Sequence, residues 1–385
     1  MIKLIKNADI YAPAHLGMGD ILIAGERICA IDRRISGYDN LPHTDIFDAE
    51  GKKLIPGYID VHVHITGGGG EQGPTSRVPE SQLSAFLKNG ITTVLGLLGT
   101  DGITRSLENL VAKAKALNEE GITAYALTGC YGYPPITVTG SVERDIVMVS
   151  PIIGAKIAVS DHRSSNPSAE DIIRIATAAR RAGLIGGTPG LLVMHMGAGK
   201  AGLEPVLSAL EKSDLPLKNL LPTHMQRSAL LVEQGMKLVR KGGYVDFTAG
   251  CCEQELIAVS EVILDCLSRQ EGAADHITLS SDAYGSQPRF DEKGECIGLT
   301  YALPDSLHKT IKLLLEKGLE LEEAIKPLTT TPAMLLGKSG VKGCIKPGAD
   351  ADMMILDENL EIDSLFARGR EAVCHKKLVM KGMFE

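Results

Sequence analysis

Between residues 55 and 342 the sequence alternates apolar runs with helix-like segments, and this alternation narrows the possible folds more than any other feature. The runs fall at 55–63, 91–98, 122–127, 152–159, 191–196, 220–225, 244–248 and 277–281. Most are separated by segments with helical spacing, for example 79–88, 106–119, 168–181, 204–212 and 228–240. A short apolar strand followed by an amphipathic helix, repeated, predicts an α/β chain with a parallel sheet. Eight such units over about 280 residues match a (β/α)₈ TIM barrel. Periodicity alone also allows a doubly wound open sheet.

The two ends of the chain have a different texture. Residues 1–54 carry short strand candidates at 4–10, 20–23 and 28–32, the last two flanking a turn at Gly25-Glu26. Residues 343–385 return to that style at 352–356, 372–374 and 378–381. The expected organisation is a barrel over 55–342 and a small β-sandwich built from 1–54 together with 343–385.

A barrel carries its chemistry at the carboxyl ends of its strands. His62 and His64 close the first run two residues apart, so alternation along a strand points both imidazoles the same way. Gly67 to Gly70 follow, a run that lets backbone approach whatever the histidines hold. Lys156 lies in the fourth run, His195 ends the fifth, His224 ends the sixth and Asp282 follows the eighth. One strand-end histidine is ordinarily a hydrogen-bonded core residue. Four, with a carboxylate, form a donor set suited to zinc or a similar borderline metal.

Composition excludes other classes. The 385 residues are 44% hydrophobic, enough for a sizeable core, and the formal charge of -8 without a Lys/Arg block argues against nucleic acid as a partner. No apolar stretch reaches the roughly 20 residues of a membrane span, and Met1-Ile2-Lys3-Leu4 does not begin a signal peptide, so a cytoplasmic location is expected. The eight cysteines lack C-x-x-C spacing and read as reduced, packed thiols, the adjacent Cys251-Cys252 included.

The strand-one His-x-His, the strand-four lysine, the two single histidines and the strand-eight aspartate resemble the binuclear amidohydrolase superfamily. Within it, the stretch from His62 through Glu71-Gln72-Gly73-Pro74 resembles the isoaspartyl dipeptidases. So do Gly129-Cys130-Tyr131, Lys156 to Arg163 with its Ser160-Asp161-His162-Arg163, Thr223 to Arg227, and the terminal Gly343 to Asp352. The resemblance implies that His62, His64 and Asp282 hold one Zn2+ and that His195 and His224 hold a second. It also implies that Lys156 bridges the two as N6-carboxylysine, together with a hydroxide. A lysine kept neutral by burial can add carbon dioxide and become an anionic ligand, which an ammonium cannot be. The alternative for Lys156 is a core lysine reaching the surface. Asp282 would move the proton, and Tyr131 would donate to the developing oxyanion.

The same resemblance assigns Glu71 to a substrate α-amine, helped by Ser286. It gives Arg227 and Arg163 to the two carboxylates of a β-aspartyl dipeptide, and places Thr100 in the pocket wall. The implied role is salvage of isomerised peptide fragments by a homo-oligomer, an octamer. A rival reading is a dihydroorotase-like or hydantoinase-like cyclic amidase, against which Glu71 stands because a cyclic amide has no free amine. A scaffold without catalysis is the third. His15, His43, His276, His308 and His375 are expected to be structural or exposed, and His162 to be the same or a support for a ligand.

Overall fold

The computed structural model describes residues 2–38, 41–290 and 296–385. All eight apolar runs become strands: β1 (Tyr58–Val63), β2 (Ile91–Gly96), β3 (Thr123–Gly129), β4 (Ile152–Val159), β5 (Leu191–Met196), β6 (Leu220–Thr223), β7 (Val245–Thr248) and β8 (Ile277–Ser280). β1 to β6 form a parallel sheet in strict chain order, and β7 pairs in parallel with β8. A doubly wound sheet would reverse its order at a switch point. This one does not.

The two groups of strands meet past the end of β1. There Val63 bridges Ala283, and the His64 N–H donates to the Ala283 carbonyl at 2.9 Å. β7 packs beside β6, although among the described residues no ladder joins them. The result is a curled parallel sheet of TIM-barrel type. Residues of β1, β2, β4, β5 and β6 are buried throughout, because side chains on both faces are covered.

Helix starts follow the serines. Ser106, Ser141, Ser168 and Ser228 each accept a hydrogen bond from a backbone N–H in the first turn, and Ser168 with Asp171 forms a full capping box. The helix expected over 168–181 runs on as Ala169–Gly186. Gly183, which looks like a stop signal, is instead a contact residue: a Cβ there would come within 2.6 Å of the Gly190 Cα. The helix expected at 79–88 is only Leu83–Leu87, because Ser81 turns back to bond the Ile65 carbonyl through both its N–H and its hydroxyl.

The chain ends pair directly. Strand Lys53–Pro56 runs antiparallel to Met353–Leu356, with Pro56 opposite Met353, so the small sheet extends two residues past the boundary expected at 54. Gly57 makes the switch between sheets, lying so close to Thr92 that a Cβ would stand 2.6 Å from its side chain. The strands of the small domain hydrogen-bond into one nine-stranded sheet. The cause is strand Ile2–Tyr11, which pairs with Thr44–Asp48 along its first half and with Lys53–Pro56 further on, joining both groups of strands in one ladder. Ile5, Ile10, Ile21, Phe47, Leu54, Met353 and Phe366 pack into one core beneath it.

The cysteine expectation holds in part. None of the described cysteines is disulfide-bonded, but Cys29 and Cys252 are exposed rather than packed. Among the described residues no helix is long and apolar enough to cross a membrane.

Candidate metal centre and substrate pocket

Strand ends bring the sequence-predicted residues to one place. His62 is fully buried, and Lys156, His195, His224, His64 and Asp282 are at most 5% exposed. Nε2 of His64 lies 3.1 Å and Nε2 of His62 3.6 Å from Oδ1 of Asp282. Nζ of Lys156 is 3.0 Å from Nε2 of His62. The ring of His224 meets those of His62 and His195 edge-on, with centroids 4.7 and 4.5 Å apart.

The backbone is strained where these groups sit. His224 has φ 63° and Asp282 φ 51°, left-handed values that ordinary side chains rarely adopt and that concentrate at functional sites. Beneath the site, Asp60 is fully buried and accepts hydrogen bonds from the N–H groups of His62 and Ser281 and from the Ser281 hydroxyl. Burial pushes its carboxyl up to about 7. It thus ties the end of β1 to the segment that carries Asp282.

Electrostatics favour ligands rather than charged side chains. Burial, reinforced by neighbouring cations, holds His62, His195 and His224 well below the usual imidazole range, so all three are neutral bases at pH 7. Burial likewise lowers Lys156 to about 7. Several buried donor atoms have no hydrogen-bond partner: Nδ1 of His62, Nδ1 of His64, Nε2 of His224 and Oδ1 of Asp282. Buried polar atoms are normally paired. His62, His64 and Asp282 can offer three donor atoms within 4.8 Å of one another, a group that fits a cation.

The second expected pair is arranged differently. Nδ1 of His224 is held by the Thr248 hydroxyl at 2.6 Å, which leaves its Nε2 available. His195 has no such freedom. Its Nδ1 is 2.7 Å from the Tyr131 hydroxyl, and its Nε2 is 3.1 Å from Oδ2 of Asp161 and 2.8 Å from Nη1 of Arg227.

Above these residues opens a cavity of about 1020 Å³, lined among others by His64, Glu71, Thr100, Tyr131, Arg163, Arg227, Asp282 and Ser286. Glu71 faces Nη1 of Arg163 at 3.6 Å and accepts from the Ser286 hydroxyl at 3.0 Å. Gln287 donates to Oδ2 of Asp282 at 2.9 Å, fixing that oxygen while Oδ1 faces the histidines. Thr100 presents a buried hydroxyl without a partner. The glycine run is laid down by Arg105, whose guanidinium donates to the carbonyls of Thr66, Gly68 and Val78. A Cβ at Gly67 would lie 2.1 Å from the Val78 carbonyl oxygen.

Sequence reasoning missed Asp161, Thr248, Gln287 and Arg105. Asp161 was visible only as a neighbour of Arg163. The side chain of His162 is 87% exposed, with Nδ1 3.6 Å from Oδ1 of Asp161. His308 is structural, bonded to the Tyr58 hydroxyl and the Leu360 carbonyl, and His15 pairs with Asp9. His276 packs at a tilt against Tyr244, and His375 stacks on Phe47.

Residues 54–383 match the amidohydrolase family model. The chain belongs to the amidohydrolase family. Within that family it is 42% identical to the beta-aspartyl dipeptidase of Fervidobacterium islandicum AW-1, solved in complex with beta-Asp-Leu, with 98% of each chain covered and a TM-score of 0.91. A second structure of that dipeptidase aligns at 41% identity, over 98% of each chain, with a TM-score of 0.88. Within the family the chain thus falls beside the beta-aspartyl dipeptidases. D-hydantoinase from Bacillus sp. AR9, 18% identical over 99% of this chain and 97% of its own with a TM-score of 0.69, shares the fold. Dihydroorotase from Staphylococcus aureus is 35% identical over 118 residues, which is 31% of this chain and 26% of that protein. The match thus spans about a quarter of those curated relatives' length.

Proposed function

We propose that this amidohydrolase hydrolyses β-aspartyl dipeptides. The observation that carries the reading is the set of charges in the one cavity over the donor cluster: Glu71, with Arg163 beside it, and Arg227. A β-aspartyl dipeptide carries one ammonium and two carboxylates. Glu71 and Ser286 take the ammonium, Arg227 the α-carboxylate of the aspartyl residue, and Arg163 the carboxylate of the leaving residue. The relative solved with beta-Asp-Leu supports the substrate class.

His62, His64 and Asp282 would hold one zinc ion, and His195 and His224 the other, with His195 releasing its present partners. A neutral Lys156 between the two groups would add carbon dioxide and bridge them as a carbamate, its nitrogen losing a proton as the N–C bond forms. Such a metal pair supplies an acidified water and polarises the scissile carbonyl. The remaining work falls to side chains. Asp282, with one oxygen held by Gln287, accepts the water's proton and returns it to the departing amine. Tyr131, whose ionisation burial pushes far above neutral pH, stays a hydrogen-bond donor for the oxyanion. The eight strands are read as one closed barrel around this centre, and the enzyme as a cytoplasmic homo-oligomer.

The local likeness to dihydroorotase supports a second reading, a cyclic amidase. Hydrolysis of β-Asp-Leu and dihydroorotate on the same metal-loaded preparation separates the two. The proposal expects the dipeptide to be turned over with the larger kcat/KM; a preference for dihydroorotate overturns it.

A further inference from the structure

We propose that Asp161 is the positioning residue of the carboxylate-binding site, presetting Arg163 for the substrate. The inference rests on the reading of Arg163 as the partner of the leaving residue's carboxylate.

Asp161 is 6% exposed and stands just past β4. Its place is set by backbone. Ser160 takes φ 53°, and Gly197 and Gly199 after β5 donate from their N–H groups to the carbonyls of Val159 and Ser160 at 3.0 and 2.8 Å. A Cβ on Gly197 would fall 2.5 Å from the Asp161 Cα, so only glycine lets the two strand ends approach this closely.

Held there, the carboxylate grips Arg163 from one edge. Nε of Arg163 donates to Oδ1 at 2.9 Å, Nη2 donates to Oδ2 at 3.0 Å, and the Arg163 backbone N–H adds a bond to Oδ1 at 2.8 Å. The guanidinium also lies over the ring of Tyr131, 5.1 Å from its centroid. One edge of the fork is held and one face is covered, and the remaining Nη1 faces Glu71 in the cavity wall. An arginine with one free orientation loses less on binding than one that must be ordered.

Oδ2 of the same carboxylate reaches His195 at 3.1 Å and lies 3.9 Å from Nη1 of Arg227. One buried anion thus faces both arginines assigned to substrate carboxylates and a histidine assigned to metal.

The test compares β-Asp-Leu with β-Asp-leucinamide, which lacks the terminal carboxylate, on metal-loaded enzyme. Wild type should prefer the acid. Asp161→Asn, which keeps the shape and removes the charge, should shrink the acid-to-amide ratio of kcat/KM roughly tenfold or more. The loss should come mainly from a higher KM for the acid. Asp161→Glu should recover part of the preference, and in an Arg163→Met background Asp161→Asn should leave the ratio unchanged. Both substrates are read on one preparation, so incomplete folding or metal loading cancels from the ratio. An equal fall for both substrates, or an intact preference in Asp161→Asn, overturns the positioning role. A wild-type enzyme that does not prefer the acid overturns the Arg163 assignment and the proposal with it, while one that cleaves neither substrate overturns the dipeptidase reading itself.

Discussion

Oδ1 of Asp282 lies 3.1 Å from Nε2 of His64, although the chain passes through seven parallel strands, β2 to β8, between His64 and Asp282. The curled sheet brings its last strand end beside its first, and the main-chain bond from His64 to Ala283 locks the two together. The pair is the junction at which fold becomes site. Both Oδ1 of Asp282 and Nδ1 of His64 are buried without hydrogen-bond partners, which water or a second side chain would ordinarily supply.

That geometry predicts metal dependence. Purified enzyme loaded with zinc should hold about two ions per chain, and thorough chelation should abolish hydrolysis while leaving the circular dichroism of the fold in place, since a core of this size does not need metal to form. Elemental analysis and activity on the same sample provide the check. Undiminished turnover in metal-free protein would rule out the assignment.

Lys156 is completely buried, has been lowered to about 7 by that burial, and stands 3.0 Å from a nitrogen of His62. Lys156→Ala should lose nearly all activity, with partial recovery in formate or acetate if a small carboxylate can take the vacant bridge. Lys156→Arg should be inactive too, because a guanidinium stays positive. Near wild-type rates in either variant without additive would exclude the bridging role.

Much of this was legible in the sequence, and the reasons differ by level. The strands announced themselves because buried parallel strands are continuous apolar runs, and three helices were read from their starts at Ser106, Ser168 and Ser228. The metal donors were legible because each lies in such a run or just past its end. Contacts between separate loops were not. Thr248 on His224, Gln287 on Asp282 and Asp161 on Arg163 join residues whose types are ordinary and whose meeting depends on how strand ends converge. The merging of the small domain into one sheet was hidden for a related reason: it depends on a single strand, Ile2–Tyr11, changing partners along its length.

Gly57 offers a test of the switch between sheets. Gly57→Ala would place a methyl 2.6 Å from the buried Thr92 side chain, so overpacking should destabilise the protein by about 1–3 kcal/mol. Thermal melting is the readout. The paired change Gly57→Ala with Thr92→Ala should recover part of the loss, and an unaltered melting temperature in the single variant would show that the junction relaxes freely.

Glu71 stands between Ser286 and Arg163 at the cavity wall. Glu71→Gln keeps the shape and removes the charge. A charge-assisted hydrogen bond is worth roughly 1.5–3 kcal/mol, so kcat/KM for β-Asp-Leu should fall at least ~10-fold while metal content is unchanged. Amino-acetylated β-Asp-Leu should already be a poor substrate for wild type. A silent Glu71→Gln together with fast cleavage of the blocked dipeptide would mean that no amine is recognised there.

The most direct test of the central claim is the ratio of kcat/KM for β-Asp-Leu to that for α-Asp-Leu, measured by release of free leucine from one metal-loaded preparation. The two peptides have the same composition and charge and differ only in which carboxyl of aspartate forms the amide. A site that reads the ammonium and α-carboxylate of aspartate beside the scissile bond must distinguish them, and the account predicts a ratio well above one. Equal rates, or faster cleavage of α-Asp-Leu, would contradict it.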